Sequence, residues 1–158
     1  MTLRIVSHGP EYTRSIGEEI GRKAHKGSVI ALCGDLGTGK TIFAKGIAAG
    51  LGIEAIVTSP TFVILNEYEG KYPFYHIDTY RLTTPEEMYG FGYEEYFYGD
   101  GVTAIEWAQK IERLLPEEYL RVEFKVIGEY DREIIFIPFG QNYVQLVEGL
   151  SKWSERGV

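Results

Sequence analysis

The residues in this chain best suited to do chemistry are Gly34-Asp35-Leu36-Gly37-Thr38-Gly39-Lys40-Thr41. They fit G-x-x-x-x-G-K-[ST], a loop type that cradles nucleotide phosphates. Each residue type has a physical task. The glycines let the backbone take positive φ, so successive N–H groups can turn toward one anion. A helix starting near Lys40 would aim its unsatisfied N–H groups and its positive dipole end at the same anion. Lys40 offers a point charge to the β- and γ-phosphates, and the Thr41 hydroxyl is a fitting Mg²⁺ ligand. Asp35, Leu36, Gly37, Thr38 and Gly39 supply the backbone between.

A triphosphatase also needs a carboxylate at the end of a second strand, to hold Mg²⁺ or its water shell. Two runs qualify: Phe74-Tyr75-His76-Ile77-Asp78 and Val102-Thr103-Ala104-Ile105-Glu106. Either Asp78 or Glu106 can be the metal carboxylate, with the other left to position or activate water. His76 stands two residues before Asp78 and so shares its strand face. A hydrogen-bonded structural role and a catalytic one are both open to it. Arg81 either neutralises transition-state charge or pairs with an acid such as Asp78. Trp107 beside Glu106 reads as packing, with covering the nucleotide or a partner as the alternative. Thr58, Ser59 and Thr61, around Pro60, form a turn whose hydroxyls could sense a nucleotide. No N-K-x-D guanine-reading motif comes after the loop, which favours ATP.

The elements that would position these groups can be read from pattern. The apolar run 28–33 is a buried strand, and residues 41–51 form a helix closed by Gly50 and Gly52. Upstream, residues 3–6 form a short strand, and a polar turn leads to a helix with Ile16 and Ile20 on one face. Residues 53–57 form another short strand. Residues 62–68 and 73–77 are β-prone around Glu69-Gly70-Lys71, a hairpin and hence an antiparallel pair. Thr84-Pro85-Glu86-Glu87 is a helix start, with a cap, a first-turn proline and acids near the dipole. Residues 93–98 add a short aromatic, acidic helix, and residues 102–105 an apolar strand. A short helix over 111–115 stops at Pro116. Residues 120–127 and 133–138 flank a turn, giving a second hairpin. Residues 141–153 form a final amphipathic helix with Val144, Val147 and Leu150 inward. The fold class is α/β, a single P-loop NTPase domain over 1–158 with a mixed central β-sheet flanked by helices.

Composition agrees with that reading. With 44% hydrophobic and 25% charged residues, the 158-residue chain can bury a substantial core. No apolar run approaches a membrane span, and no secretory signal opens the chain, so a cytoplasmic protein without membrane contact is expected. The lone cysteine, Cys33, falls in the buried strand and reads as a core residue. The formal net charge of −7, without a Lys/Arg block, argues against direct gripping of nucleic acid, because phosphate neutralisation supplies most of that affinity.

Four blocks taken together resemble the TsaE (YjeE) ATPase family over nearly the full chain. They are the phosphate loop, Ser59-Pro60-Thr61-Phe62, His76-Ile77-Asp78-Thr79-Tyr80-Arg81-Leu82, and Ile105-Glu106-Trp107. That family is the small ATPase of bacterial N6-threonylcarbamoyladenosine synthesis at position 37 of tRNAs reading ANN codons. The resemblance implies ATP and Mg²⁺ as cofactors and TsaD and TsaB as partner proteins. TsaD would carry the transfer chemistry, and tRNA would be met only through the complex. It implies that Glu106 is the Walker B acid, sharing Mg²⁺ with Thr41, and that Asp78 has a hydrolytic or switch role beside Lys40. It further implies that Ser59-Pro60-Thr61 is a switch-like loop, that residues 10–13, Thr13 included, lie near the base, and that Arg132 lies near the nucleotide. Weak ATPase activity in isolation is expected, since switch loops and partners complete such sites. A small-molecule P-loop kinase and a non-hydrolysing ATP-dependent switch are the rival readings. The first lacks an arginine-bearing lid, and the second differs only in turnover.

Overall fold

Val29–Cys33 (β2) is buried at all five positions, as expected of a parallel strand covered on both faces. In the computed structural model, which describes residues 1–54 and 65–156, this strand lies mid-sheet. Before it come β1 (Leu3–Ser7) and α1 (Pro10–Lys23), and after it α2 (Lys40–Gly50), β3 (Leu65–Tyr68) and β4 (Phe74–Asp78). Next come α3 (Glu94–Phe97), β5 (Val102–Glu106), β6 (Tyr119–Val126), β7 (Arg132–Phe139), α4 (Gln141–Glu148) and α5 (Ser151–Arg156). Two 3-10 helices, Pro85–Phe91 and Ala108–Leu114, lie either side of β5.

The strands form one sheet in the order β1-β7-β6-β2-β5-β4-β3. β2 pairs in parallel with β5 and β6, and β4 joins β5 in parallel. The outer pairs, β3–β4, β6–β7 and β1–β7, are antiparallel. The sheet is therefore mixed and flanked by helices, the α/β architecture expected, and both expected hairpins are present. One face packs Ile30, Leu32, Phe74, Ala104 and Val122 against Ile16 and Ile20 of α1, Phe43 and Ile47 of α2, and Leu146 and Val147 of α4. The other packs Val29, Ala31, Cys33, Ile77 and Ile105 against Met88, Phe97, Ile111 and Leu114. Strand alternation places His76, Asp78 and Glu106 on the α2 side.

Other expectations need correcting. The final helix is two helices, with α4 ending at its C-cap Gly149 and α5 starting at Ser151 after a turn. Val144 is only half-buried, and Tyr143 and Leu146 fill the core beside Val147. The helix start at Thr84 is present with a full capping box, Thr84 with Glu87. The helix it opens is 3-10, since Gly90 and Gly92 allow no longer α-helical run. In place of the helix expected over 111–115, 3-10 turns run from Ala108 to Leu114 with a kink at Ile111, whose backbone is not helical. Ile53 and Glu54 are in no strand. The rest of that expected strand, the turn at Thr58 to Thr61 and Phe62 lie outside the described residues.

α1 and α2 touch through glycine. A Cβ on Gly46 would stand 2.1 Å from the Arg14 carbonyl oxygen, and one on Gly17 would stand 2.3 Å from that of Phe43. Gly21 and Gly50 continue the seam, with equivalent approaches of 2.2 Å to Ile47 O and Glu18 O. Because backbone rather than flexible side chain opposes each Cβ, relief requires the helices to part. Gly46→Ala should therefore cost about 1–3 kcal/mol, seen as a thermal midpoint lowered by roughly 2–4 °C per kcal/mol. Gly90→Ala, where a Cβ meets nothing within 4 Å, should leave the midpoint nearly unchanged.

Cys33 closes β2 with 4% exposure, and burial pushes its thiol up to about 11. A thiol-specific disulfide reagent at about pH 8 should leave the folded protein unlabelled and label it stoichiometrically in denaturant. Rapid labelling of the folded chain would contradict this burial.

Candidate functional site

After Cys33 the chain turns through the glycine-rich loop into α2. Gly34 (φ 151°), Gly37 (φ 75°) and Gly39 (φ 108°) all take positive φ. At Gly34 a Cβ would also meet the Phe124 carbonyl oxygen at 2.9 Å, so neither conformation nor space admits another residue. Gly39 is the N-cap of α2 and brings no side-chain cap. The first-turn N–H groups of α2 therefore stay available to an external anion. Thr38 Oγ1 donates to the Asp35 carbonyl at 2.8 Å, folding the loop onto itself.

Lys40 opens the helix with only 4% exposure. Its Nζ donates to the carbonyls of Gly34 at 2.7 Å and Asp35 at 2.5 Å. The same ammonium stands 4.3 Å from the centroid of the Trp107 ring. Burial lowers its pKa below the ordinary lysine value, and the carboxylates of Glu106, Asp35 and Asp78 work against that shift.

β4 and β5 end side by side, with Asp78 opposite Glu106 in register. Glu106 is 3% exposed and both carboxylate oxygens are engaged. Oε1 accepts from Thr41 Oγ1 at 2.7 Å, and Oε2 lies 2.6 Å from His76 Nε2. Asp78 is half-buried, and its Oδ1 accepts the Tyr80 N–H at 2.9 Å. Between them Thr79 Oγ1 shares its proton between Glu106 O at 3.0 Å and Trp107 O at 2.8 Å. That clamp holds Trp107 at φ 60°, the one positive-φ residue other than glycine among those described. Left-handed backbone on a bulky residue is strained, and such strain gathers at functional sites.

The opposite wall comes from the N-terminal turn and the β6–β7 hairpin. Thr13 is buried, its Oγ1 2.7 Å from Ser7 Oγ. Arg132 donates through Nη1 to Gly128 O at 3.2 Å and through Nη2 to Gly37 O at 3.2 Å, fastening the hairpin to the phosphate loop. Both walls enclose a cleft of about 760 Å³. It opens at the C-terminal ends of β2, β4 and β5, where parallel α/β sheets bind ligands. Leu36, Gly37, Thr38, Gly39, Lys40 and Thr41 line it, as do Thr13, Asp78, Glu106 and Arg132; Asp35 does not.

The donors present suit a small hard cation. Among the described residues no group of three or more His, Cys, Asp or Glu could hold a metal. One hydroxyl and one carboxylate on adjoining elements suit Mg²⁺, which takes its remaining ligands from phosphate and water. Sequence reasoning missed Thr79, whose role rests on two carbonyls of another strand. It also missed Gln109, whose Nε2 donates to Gly34 O at 3.3 Å, and Tyr130, an exposed residue lining the cleft from the hairpin. Tyr130 stands in a turn that the hairpin pattern did locate. The other two carry no sequence signal.

A family model described as threonylcarbamoyl adenosine biosynthesis protein TsaE matches residues 7–134. A protein of Bacillus subtilis named tRNA threonylcarbamoyladenosine biosynthesis protein TsaE is 47% identical over 144 residues, covering 90% of each chain. A Treponema pallidum protein of the same name is 42% identical over 132 residues, 84% of this chain and 98% of its own. The crystal structure of Bacillus subtilis YdiB superposes with a TM-score of 0.84 at 42% identity, covering 96% of this chain and 95% of that one.

Proposed function

This chain belongs to the TsaE family, and from that premise we propose that it is a Mg²⁺-dependent ATPase serving tRNA threonylcarbamoyladenosine formation together with TsaD and TsaB. The observation that carries the reading is the 2.7 Å bond from Thr41 Oγ1 to Glu106 Oε1. It joins the first residue after the loop lysine to the carboxylate ending a neighbouring parallel strand, the pairing that a Mg²⁺–triphosphate complex requires.

In this reading the loop backbone from Asp35 to Thr41 takes the phosphates, and Lys40 meets the charge that develops on them. Thr41 and Glu106 hold Mg²⁺, which neutralises phosphate charge when bound. Asp78, beside Glu106 at the floor of the cleft, orients water or reports nucleotide state. The base and sugar lie toward Thr13 and Arg132, on the wall built by the N-terminal turn and the hairpin. The chain's net charge of −7 favours contact with tRNA through partner proteins rather than directly. Among the described residues no helix is long and apolar enough to cross a membrane.

ATP hydrolysis should be slow for the chain alone and rise when TsaB and TsaD are added. Glu106→Ala and Asp78→Ala should each lower the stimulated rate by about 100-fold or more, and chelation of Mg²⁺ should abolish it. Normal hydrolysis by Asp78→Ala would remove that residue from the mechanism and leave the metal site standing. Tight ATP binding with no turnover in any combination would make the protein a switch instead.

Lys40 gives a second test. Phosphate favours the charged ammonium, so above its lowered pKa the site must take up a proton to bind. ATP affinity should therefore fall as pH rises, and the fall should begin below the range where an ordinary lysine titrates. Calorimetric Kd values at rising pH should show the decline, and Lys40→Met should bind weakly with this component of the slope gone. A flat wild-type profile would contradict the lysine's role.

A further inference from the structure

We propose that His76 is a positioning residue for the metal carboxylate: it fixes Glu106 so that one oxygen faces Thr41 and the cleft. This rests on the reading of Thr41 and Glu106 as the Mg²⁺ site. His76 is fully buried on β4, opposite Ala104 of β5 in the parallel register. Glu106 stands two residues beyond Ala104, so the imidazole reaches it along the diagonal, across the smallest of β-carbon side chains. An ionised carboxylate only accepts hydrogen bonds, so Nε2 donates, over 2.6 Å, to Oε2. Thr41 holds the other oxygen at 2.7 Å. Two contacts from two different elements thus set both the direction and the plane of one carboxylate. Phe74, nearly parallel to the imidazole at 17° and 6.2 Å between centroids, helps fix the ring.

The other ring nitrogen points to function rather than packing. Nδ1 is buried and, among the described residues, has no hydrogen-bond partner. Most buried polar atoms are satisfied, and an apolar side chain would fill this slot without an orphaned atom. What the imidazole supplies is the bond from Nε2. Outer-shell partners of this kind orient a ligand and raise its affinity for metal.

The test measures Mn²⁺ binding by electron paramagnetic resonance in the presence of ADP, and ADP binding without metal by calorimetry. It compares the wild type with His76→Ala, His76→Gln and Glu106→Gln. Glutamine can place a donor near the Nε2 position, whereas alanine cannot. We expect His76→Ala to weaken Mn²⁺ binding about 10–100-fold, His76→Gln to recover most of that loss, and metal-free ADP affinity to stay unchanged in both. Glu106→Gln should weaken Mn²⁺ at least as much. Wild-type Mn²⁺ affinity in His76→Ala, with Glu106→Gln impaired, would overturn the positioning role and leave the metal site intact. Wild-type Mn²⁺ affinity in Glu106→Gln would overturn the metal site and this inference with it. A parallel loss of metal-free ADP affinity and thermal midpoint in both His76 variants would make His76 part of the scaffold and overturn the proposal.

Discussion

A carboxylate taken out of water must find partners, and most of this site can be traced to how Glu106 finds them. Leaving a buried charge unpaired costs several kcal/mol, so the 3% exposure of Glu106 constrains whatever surrounds it. One oxygen is met by Thr41 from α2 and the other by His76 from β4. Those bonds tie the first turn of α2, β5 and β4 into one unit. Lys40 adds its charge to the same unit without contacting the carboxylate, because its head is held by Gly34 O, Asp35 O and the Trp107 ring. The site is therefore preorganised by polar contacts among its own members, which limits reorganisation when a charged ligand arrives.

Such an arrangement works only if α2 is held at a fixed height and angle. The glycine seam with α1 provides this, since helices packed backbone to backbone have little room to slide or roll. It also links the two walls of the cleft. α1 begins at Pro10, on the wall that carries Thr13, and α2 begins at Lys40, on the floor. A shift of either helix would be felt at both ends. Arg132 closes the circuit by bonding the β6–β7 hairpin to Gly37.

What could be read from the sequence was what is local. The glycine-rich loop is contiguous, and its glycine, lysine and threonine types at fixed spacing form a recognisable phosphate-loop pattern. The two hairpins were legible because turn residues separate alternating runs. The capping box at Thr84 was legible as a start, but a cap does not say whether an α- or 3-10 turn comes next. Sheet order was not legible: β6 lies beside β2 although about ninety residues separate them in the chain (Val29 to Tyr119). Nor could sequence choose between Asp78 and Glu106, since both end apolar strands. Only the sheet order, which sets β5 rather than β4 beside β2, and the reach of the Thr41 hydroxyl separate them, and both are long-range facts. The family resemblance pointed to Glu106 without supplying that geometry.

Thr79 shows how far a small side chain can extend this logic. It comes directly after Asp78, yet its hydroxyl and its amide both turn to β5, to Glu106 O and Trp107 O. By holding those carbonyls it supports the left-handed turn at Trp107, which swings the indole back over Lys40. Without that turn the chain would leave β5 extended, and the ring would not be carried back over the loop lysine. The strain at Trp107 is thus a consequence of covering a buried cation with an aromatic face. The strand-end carboxylate and the loop cation consequently share one support, and changes at the end of β4 are transmitted to both through a threonine that does not line the cleft.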